Sequence, residues 1–159
     1  MAVATSSRQR NFEKKTAHLQ AVFSLFEGKV IYGDDQQYKM CGKAAPDIFL
    51  VAAKELLGRD VGGLDEECTD AQIKERAKGL VFEDALPGMQ AGKRVGMSGK
   101  NSIVLVFHPD LSHFNLVVWV PDQNVLKFAQ SVNETADAVL GSLEDFKPED
   151  WGLPPYPNN

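Results

Sequence analysis

Cysteine is scarce: Cys41 and Cys68 are the only two in 159 residues. Two thiols cannot build the disulfide framework of a small secreted scaffold, and their separation excludes a Cys-x-x-Cys redox pair. Both are expected to be reduced, in a cytoplasmic protein. Long apolar runs are lacking too. The longest, 103–107 and 116–120, are strand-length and fall far short of the ~18 residues of a membrane span. Positive charge is in deficit, with 17 Lys and Arg against 22 Asp and Glu and a net charge of −5. That disfavours nucleic acid as a partner, because phosphate backbones reward basic patches. Nor is a secretory signal expected, since Ala2-Val3-Ala4 is too short for its apolar region and polar Thr5-Ser6-Ser7-Arg8 follows at once. No internal repeat or low-complexity block is found.

What is present suits a globular chain. Hydrophobic residues make up 43% and charged residues 25%, an ordinary balance for one domain over 1–159. A chain of this length buries roughly two thirds of its unfolded surface, so it needs neither metal nor disulfide to fold. Short apolar segments alternate with longer helical patterns, which indicates an α/β fold with a parallel sheet and flanking helices. Strands are expected at 2–5, 29–32, 79–82, 103–107 and 116–120. Helices are expected at 11–26, at 48–57 after Pro46, at 70–78, and from Pro87-Gly88 to about Val95. A further helix or strand falls near 136–143. The tail from Trp151 to Tyr156 is expected to be ordered only if its aromatic rings dock.

Three polar clusters fall just past strand ends or in the loops that follow, where open parallel sheets bind ligands. Thr5-Ser6-Ser7 precedes a helix; hydroxyls beside free helix N–H groups can bind an anion, and also read as an ordinary N-cap. Lys43, in Gly42-Lys43-Ala44-Ala45-Pro46-Asp47, is a cation in a tight loop, while Asp47 suits the first turn of the next helix. Glu83-Asp84 is a carboxylate pair at the exit of a buried strand, the donor set that Mg2+ takes alongside waters and phosphate oxygens. Each alone has a plain reading as surface charge or cap. Together, a hydroxyl, a lysine and two carboxylates would give a phosphate a donor, a cation and a metal, the requirements of phosphoryl transfer.

Competing patterns fail. Residues 92–102 suggest a phosphate loop, but Gly99-Lys100 is followed by Asn101 and Arg94 stands at the required glycine position. His18, His108 and His113 have no serine or carboxylate at triad spacing. Asp34-Asp35 reads as a turn that ends a strand.

These residues resemble the haloacid-dehalogenase-like hydrolases, and within them the pseudouridine-5′-phosphatase-like subgroup. The matching stretches are AVATSS at 2–7, GDD at 33–35, GKAAPDIFLVAAK at 42–54, LVFEDALPGMQAGKRVGM at 80–97, VVWVPD at 117–122 and DFKPEDWGLPPY at 145–156. The resemblance implies a Rossmann-like core and a Mg2+-dependent phosphatase acting on a small phosphorylated metabolite through an aspartyl-phosphate. Thr5 would hold the phosphate, assisted by the Ser6 backbone N–H. Lys43 would balance the charge of nucleophile and phosphate, and Asp84 with Glu83 would hold Mg2+. Ala44 departs from the proline usual at its position.

Larger departures follow. The family's nucleophile and general acid come from an Asp-x-Asp motif, and none occurs in these 159 residues. The chain is therefore expected to start after that motif's strand and after the helical cap, and to be inactive alone. It could instead serve as a non-catalytic module that binds phosphate or a partner. With the shared strand missing, the strands ending at Thr5 and Glu83 are expected to close on each other or leave unpaired backbone. Residues 98–116 interrupt a matching stretch, as an insertion that forms a hairpin with 117–120 or as retained non-coding sequence.

Overall fold

A computed structural model describes residues 1–38, 47–63, 67–94, 104–107, 116–122, 124–126 and 136–157. Lys43, His108 and His113 lie outside these residues, as does most of 98–116.

The first β-strand, β1 (Val3–Thr5), is followed by α1 (Gln9–Thr16), α2 (Gln20–Phe23) and β2 (Val30–Tyr32). The helix expected over 11–26 is thus broken. Thr16, a buried β-branched residue, donates its hydroxyl to the Phe12 carbonyl at 2.9 Å. Such side-chain bonds compete with the backbone ladder, and Leu19 (φ −113°, ψ 27°) leaves helical geometry. Phe12 still packs edge-on against Phe23 at 5.1 Å and Tyr32 at 5.5 Å, holding the broken helix to β2. Chain reversal before β2 uses Glu27 and Gly28, both at positive φ.

Beyond the next loop, α3 (Asp47–Val51) continues as a π-helical stretch, Ala52–Leu56. It is followed by α4 (Asp70–Arg76), β3 (Gly79–Glu83), α5 (Leu86–Arg94), β4 (Val104–Phe107), β5 (Leu116–Trp119) and β6 (Ala138–Val139). The α4 helix begins at Thr69, whose hydroxyl accepts from the Gln72 N–H while the Gln72 side chain accepts from the Thr69 N–H.

Among the described residues the strands form two sheets. The strands β1 and β2 pair in parallel, Val3 to Val30 through Thr5 to Tyr32. The other sheet has the order β4-β3-β5-β6. In it β3 pairs in parallel with β5, Leu80 to Leu116 through Glu83 to Trp119, and β5 in parallel with β6. Parallel sheets with flanking helices are the expected α/β architecture, and near-continuous burial along β3 (Gly79, Leu80, Val81 and Glu83) is what parallel strands covered on both faces require.

One feature differs from expectation. The strand β4 runs antiparallel to β3, Gly79 opposite Phe107 and Phe82 opposite Val104, instead of forming a hairpin with 117–120. It also lies against β1. The edge of β3 is therefore satisfied by β4 and not left bare, and β1 takes its own partner in β2.

Among the described residues three apolar clusters hold these layers. Phe49 and Leu50 of α3 pack with Ala4 of β1, Ile31 of β2 and Val81 of β3, so one cluster joins both sheets. Met89 of α5 packs on Val117 and Trp119 of β5. Leu80 and Val118 pack with Phe146, whose ring stacks on Trp151 at 5.9 Å and meets Phe82 edge-on at 4.8 Å. The tail is thus pinned by Trp151, whereas Tyr156 stays exposed. Among the described residues no helix is long and apolar enough to cross a membrane.

Candidate functional site

The loop after β1 is set by short-range chemistry. Thr5 is half-buried, and its hydroxyl oxygen accepts the Ser7 N–H at 3.1 Å. With the oxygen engaged as an acceptor, the hydroxyl proton stays available for an anion. The cap of α1 does not come from this loop. Arg8 occupies the cap position without a side-chain bond, and Asp34 accepts the Gln9 N–H at 2.9 Å from 25 residues away. One N–H of the expected anion-binding helix start is therefore already taken by a carboxylate. Gly33 donates its N–H to the Ser7 carbonyl at 3.0 Å.

The second loop leaves β3 at Glu83-Asp84. Glu83 is 2% exposed. Its Oε1 accepts the Ala85 N–H at 2.9 Å, and its Oε2 is buried without a hydrogen-bond partner. Burial, with the neighbouring Asp84 charge adding to it, pushes the Glu83 carboxyl up to about 10. Asp84 is exposed beside it. The backbone of the loop is tied to β5: the Val120 N–H donates to the Glu83 carbonyl at 2.7 Å, and the buried Trp119 indole N–H donates to the Asp84 carbonyl at 3.0 Å.

These observations test the fit of a divalent ion. A buried carboxyl oxygen with no partner is costly, and the group either keeps its proton, as burial favours here, or exchanges it for a cation. An adjacent exposed carboxylate supplies a second hard oxygen donor. The donor set suits Mg2+, which commonly takes one or two protein carboxylates and completes its shell with water and phosphate. Among the described residues no group of three or more His, Cys, Asp or Glu side chains could hold a metal.

Thr5, Ser6 and Ser7 are held together, and so are Glu83 and Asp84. The two loops exit different sheets, and among the described residues no hydrogen bond or ion pair joins them. Asp47 opens α3 and is buried, and His18 is exposed in the turn after α1. A cavity of about 710 Å3 lies beside Glu83, walled by Phe26, Phe82, Val120, Phe146 and the prolines of the tail. Its walls are apolar, so the polar loops, and not this cavity, suit a phosphate.

Gly33, Asp34 and Trp119 were not singled out as site residues by their sequence. For Gly33 and Asp34 a signal existed, since loops after neighbouring parallel strands leave the same sheet edge. For Trp119, bonded 35 residues back, local pattern offers none. Trp119→Phe keeps most of the ring and deletes the N–H. It is expected to cost about 1 kcal/mol, and an unchanged thermal midpoint would remove that bond from the account.

A hydroxyl-bearing loop thus follows β1 and a carboxylate pair ends β3, in separate sheets of an α/β fold. Comparison with known proteins supplies the family. The chain is 37% identical over 156 residues to (DL)-glycerol-3-phosphatase 1, mitochondrial, of Arabidopsis thaliana, covering 98% of this chain and 40% of that protein. It is 36% identical over 156 residues to (DL)-glycerol-3-phosphatase 2 of the same plant, covering 98% and 50%. It is 36% identical over 154 residues to a probable pseudouridine-5′-phosphatase of Drosophila melanogaster, covering 97% and 51%. The chain thus spans about half or less of the length of these relatives. No family model and no solved structure matches. The chain belongs to the haloacid-dehalogenase-like hydrolase superfamily.

Proposed function

We propose that this chain carries the phosphate- and Mg2+-holding residues of a phosphomonoester hydrolase whose substrate is a small phosphorylated metabolite, such as a nucleoside or sugar phosphate. The supporting observation is Glu83, a buried carboxyl with an unpartnered oxygen beside exposed Asp84 at the exit of β3. The printed names of the relatives, all phosphatases of small esters, support the substrate class.

In this reading the Thr5 hydroxyl donates to a phosphate oxygen and the Ser6 N–H adds a second donor. Lys43 offsets the phosphate charge. Asp84 and Glu83 hold Mg2+, which when bound supplies positive charge against the phosphate oxygens. An aspartyl-phosphate route needs a nucleophilic aspartate, and these 159 residues contain no Asp-x-Asp. By themselves they are expected to bind a phosphate group without turning it over, which makes a non-catalytic phosphate- or partner-binding role the second reading. The scarcity of cysteine, two in 159 residues, fits a reducing compartment such as the cytoplasm.

Differential melting tests the assignment. Mg2+ with inorganic phosphate at about ten times the dissociation constant is expected to add roughly 1.4 kcal/mol of stability. Asp84→Ala and Lys43→Ala are expected to abolish that gain. No gain in the unsubstituted chain would sink the assignment, and Mg2+-dependent, Asp84-dependent turnover of p-nitrophenyl phosphate would overturn the expectation of inactivity.

A further inference from the structure

The parallel pairing of β1 with β2 places Thr5 opposite Tyr32, so the residues that follow on each strand leave side by side. Gly33 there makes an unusually close approach. Its φ lies outside the left-handed region, so conformation alone does not demand glycine. Space does. A Cβ on residue 33 would collide with the Ser6 carbonyl oxygen and stand 2.7 Å from the Ser6 carbonyl carbon and 3.0 Å from its Cα. All three are backbone atoms, so no rotamer change relieves the overlap.

Two further bonds fix the same loop. Gly33 donates its N–H to the Ser7 carbonyl at 3.0 Å. Asp34 accepts the N–H of Gln9, the first residue of α1, at 2.9 Å. The turn itself is closed by the Asp35 N–H donating to the Tyr32 carbonyl at 3.1 Å. A two-residue turn on β2 therefore grips Ser6, Ser7 and the start of α1 together.

We propose that Gly33 and Asp34 are positioning residues for the phosphate loop. Gly33 acts by letting the Ser6 peptide lie against the exit of β2, and Asp34 by anchoring the first turn of α1. The inference rests on the reading that Thr5 and Ser6 meet phosphate. It adds that the aim of those donors is set from the neighbouring strand. A donor displaced by a fraction of an ångström loses much of its hydrogen bond, since these bonds weaken steeply with geometry.

The test uses the full 15N-labelled chain with inorganic phosphate as the probe. Phosphate is expected to shift the amide resonances of Thr5, Ser6 and Ser7. Gly33→Ala is expected to move the Ser6 and Ser7 resonances before any phosphate is added and to weaken binding roughly tenfold or more. Asp34→Ala is expected to move the Gln9 resonance and weaken binding several-fold. Asp34→Asn keeps an acceptor oxygen and sheds a charge that repels phosphate, so its affinity should equal or exceed the original. A folded Gly33→Ala chain with unchanged Ser6 and Ser7 resonances and unchanged affinity overturns the proposal. If that variant does not fold, the Asp34 pair decides: Asp34→Ala binding phosphate as tightly as the unsubstituted chain overturns it. If the unsubstituted chain binds no phosphate, the phosphate reading fails on its own. The Ser6, Ser7 and Gln9 resonances of the free variants then judge the positioning claim, and their failure to move overturns it.

Discussion

Glu83→Gln is expected to remove a loss of stability that the metal-free chain suffers as pH rises. In the unfolded chain Glu83 gives up its proton near the ordinary carboxyl value of 4.5, whereas in the folded chain burial holds the proton up to about 10. Between those values unfolding releases a proton, so raising the pH favours the unfolded state. The contribution is complete below about 4.5, declines through neutral pH, and is lost by about 10. The limiting slope for one such group is about 1.4 kcal/mol per pH unit. Glutamine keeps the oxygen that accepts the Ala85 N–H but cannot ionise, so it takes no part in the decline. The variant should overtake the parent in stability as the pH climbs. Thermal midpoints of both chains between about pH 5 and 9, in buffer with a chelator, decide it. Parallel curves would show that Glu83 does not carry a buried proton.

The second large effect concerns the core. Phe49 is fully buried and touches the cluster that contains Ala4, Ile31 and Val81. It therefore ties α3 to β1 and β2 and, through Val81, to the other sheet. Phe49→Ala removes a ring and leaves a cavity where neighbours belong to three different strands and cannot all collapse inward. The expected cost is about 3–5 kcal/mol, a large share of the 5–15 kcal/mol that typically separates folded from unfolded chains. The melting midpoint should fall by on the order of 10 °C. Phe49→Leu, which keeps most of the volume, should recover much of the loss. A drop of only a degree or two for the alanine variant would show that the two sheets do not depend on this contact.

Legibility in the sequence followed the range of the interactions. The exit of β3 was readable because a run of apolar residues ends on two acids within six positions, and burial of that run is a local consequence of covering both faces. The break in the first helix was not. Its apolar spacing is helical, and the hydroxyl of Thr16 overrides it by a bond of its own. The cap of α1 was hidden for a different reason: Asp34 is 25 residues away, and its local context says only that a strand stops. The placement of β4 was hidden as well, since sequence neighbours suggest a hairpin with β5 and the strand instead reaches back to β3. Lys43, the cation of the expected site, falls outside the described residues.

The seat of β4 on β3 also has a kinetic meaning. Gly79, Leu80, Val81 and Phe82 already have antiparallel partners. A foreign strand seeking to lie parallel along that edge could enter only after those pairs had peeled apart, through a species with bare N–H and C=O groups on both strands. Such an exchange would proceed at the rate at which β4 lets go, however much of the competing strand were supplied. The chain would thus be slow to trade partners at its own β3, and slow to be recruited into intermolecular sheets through it.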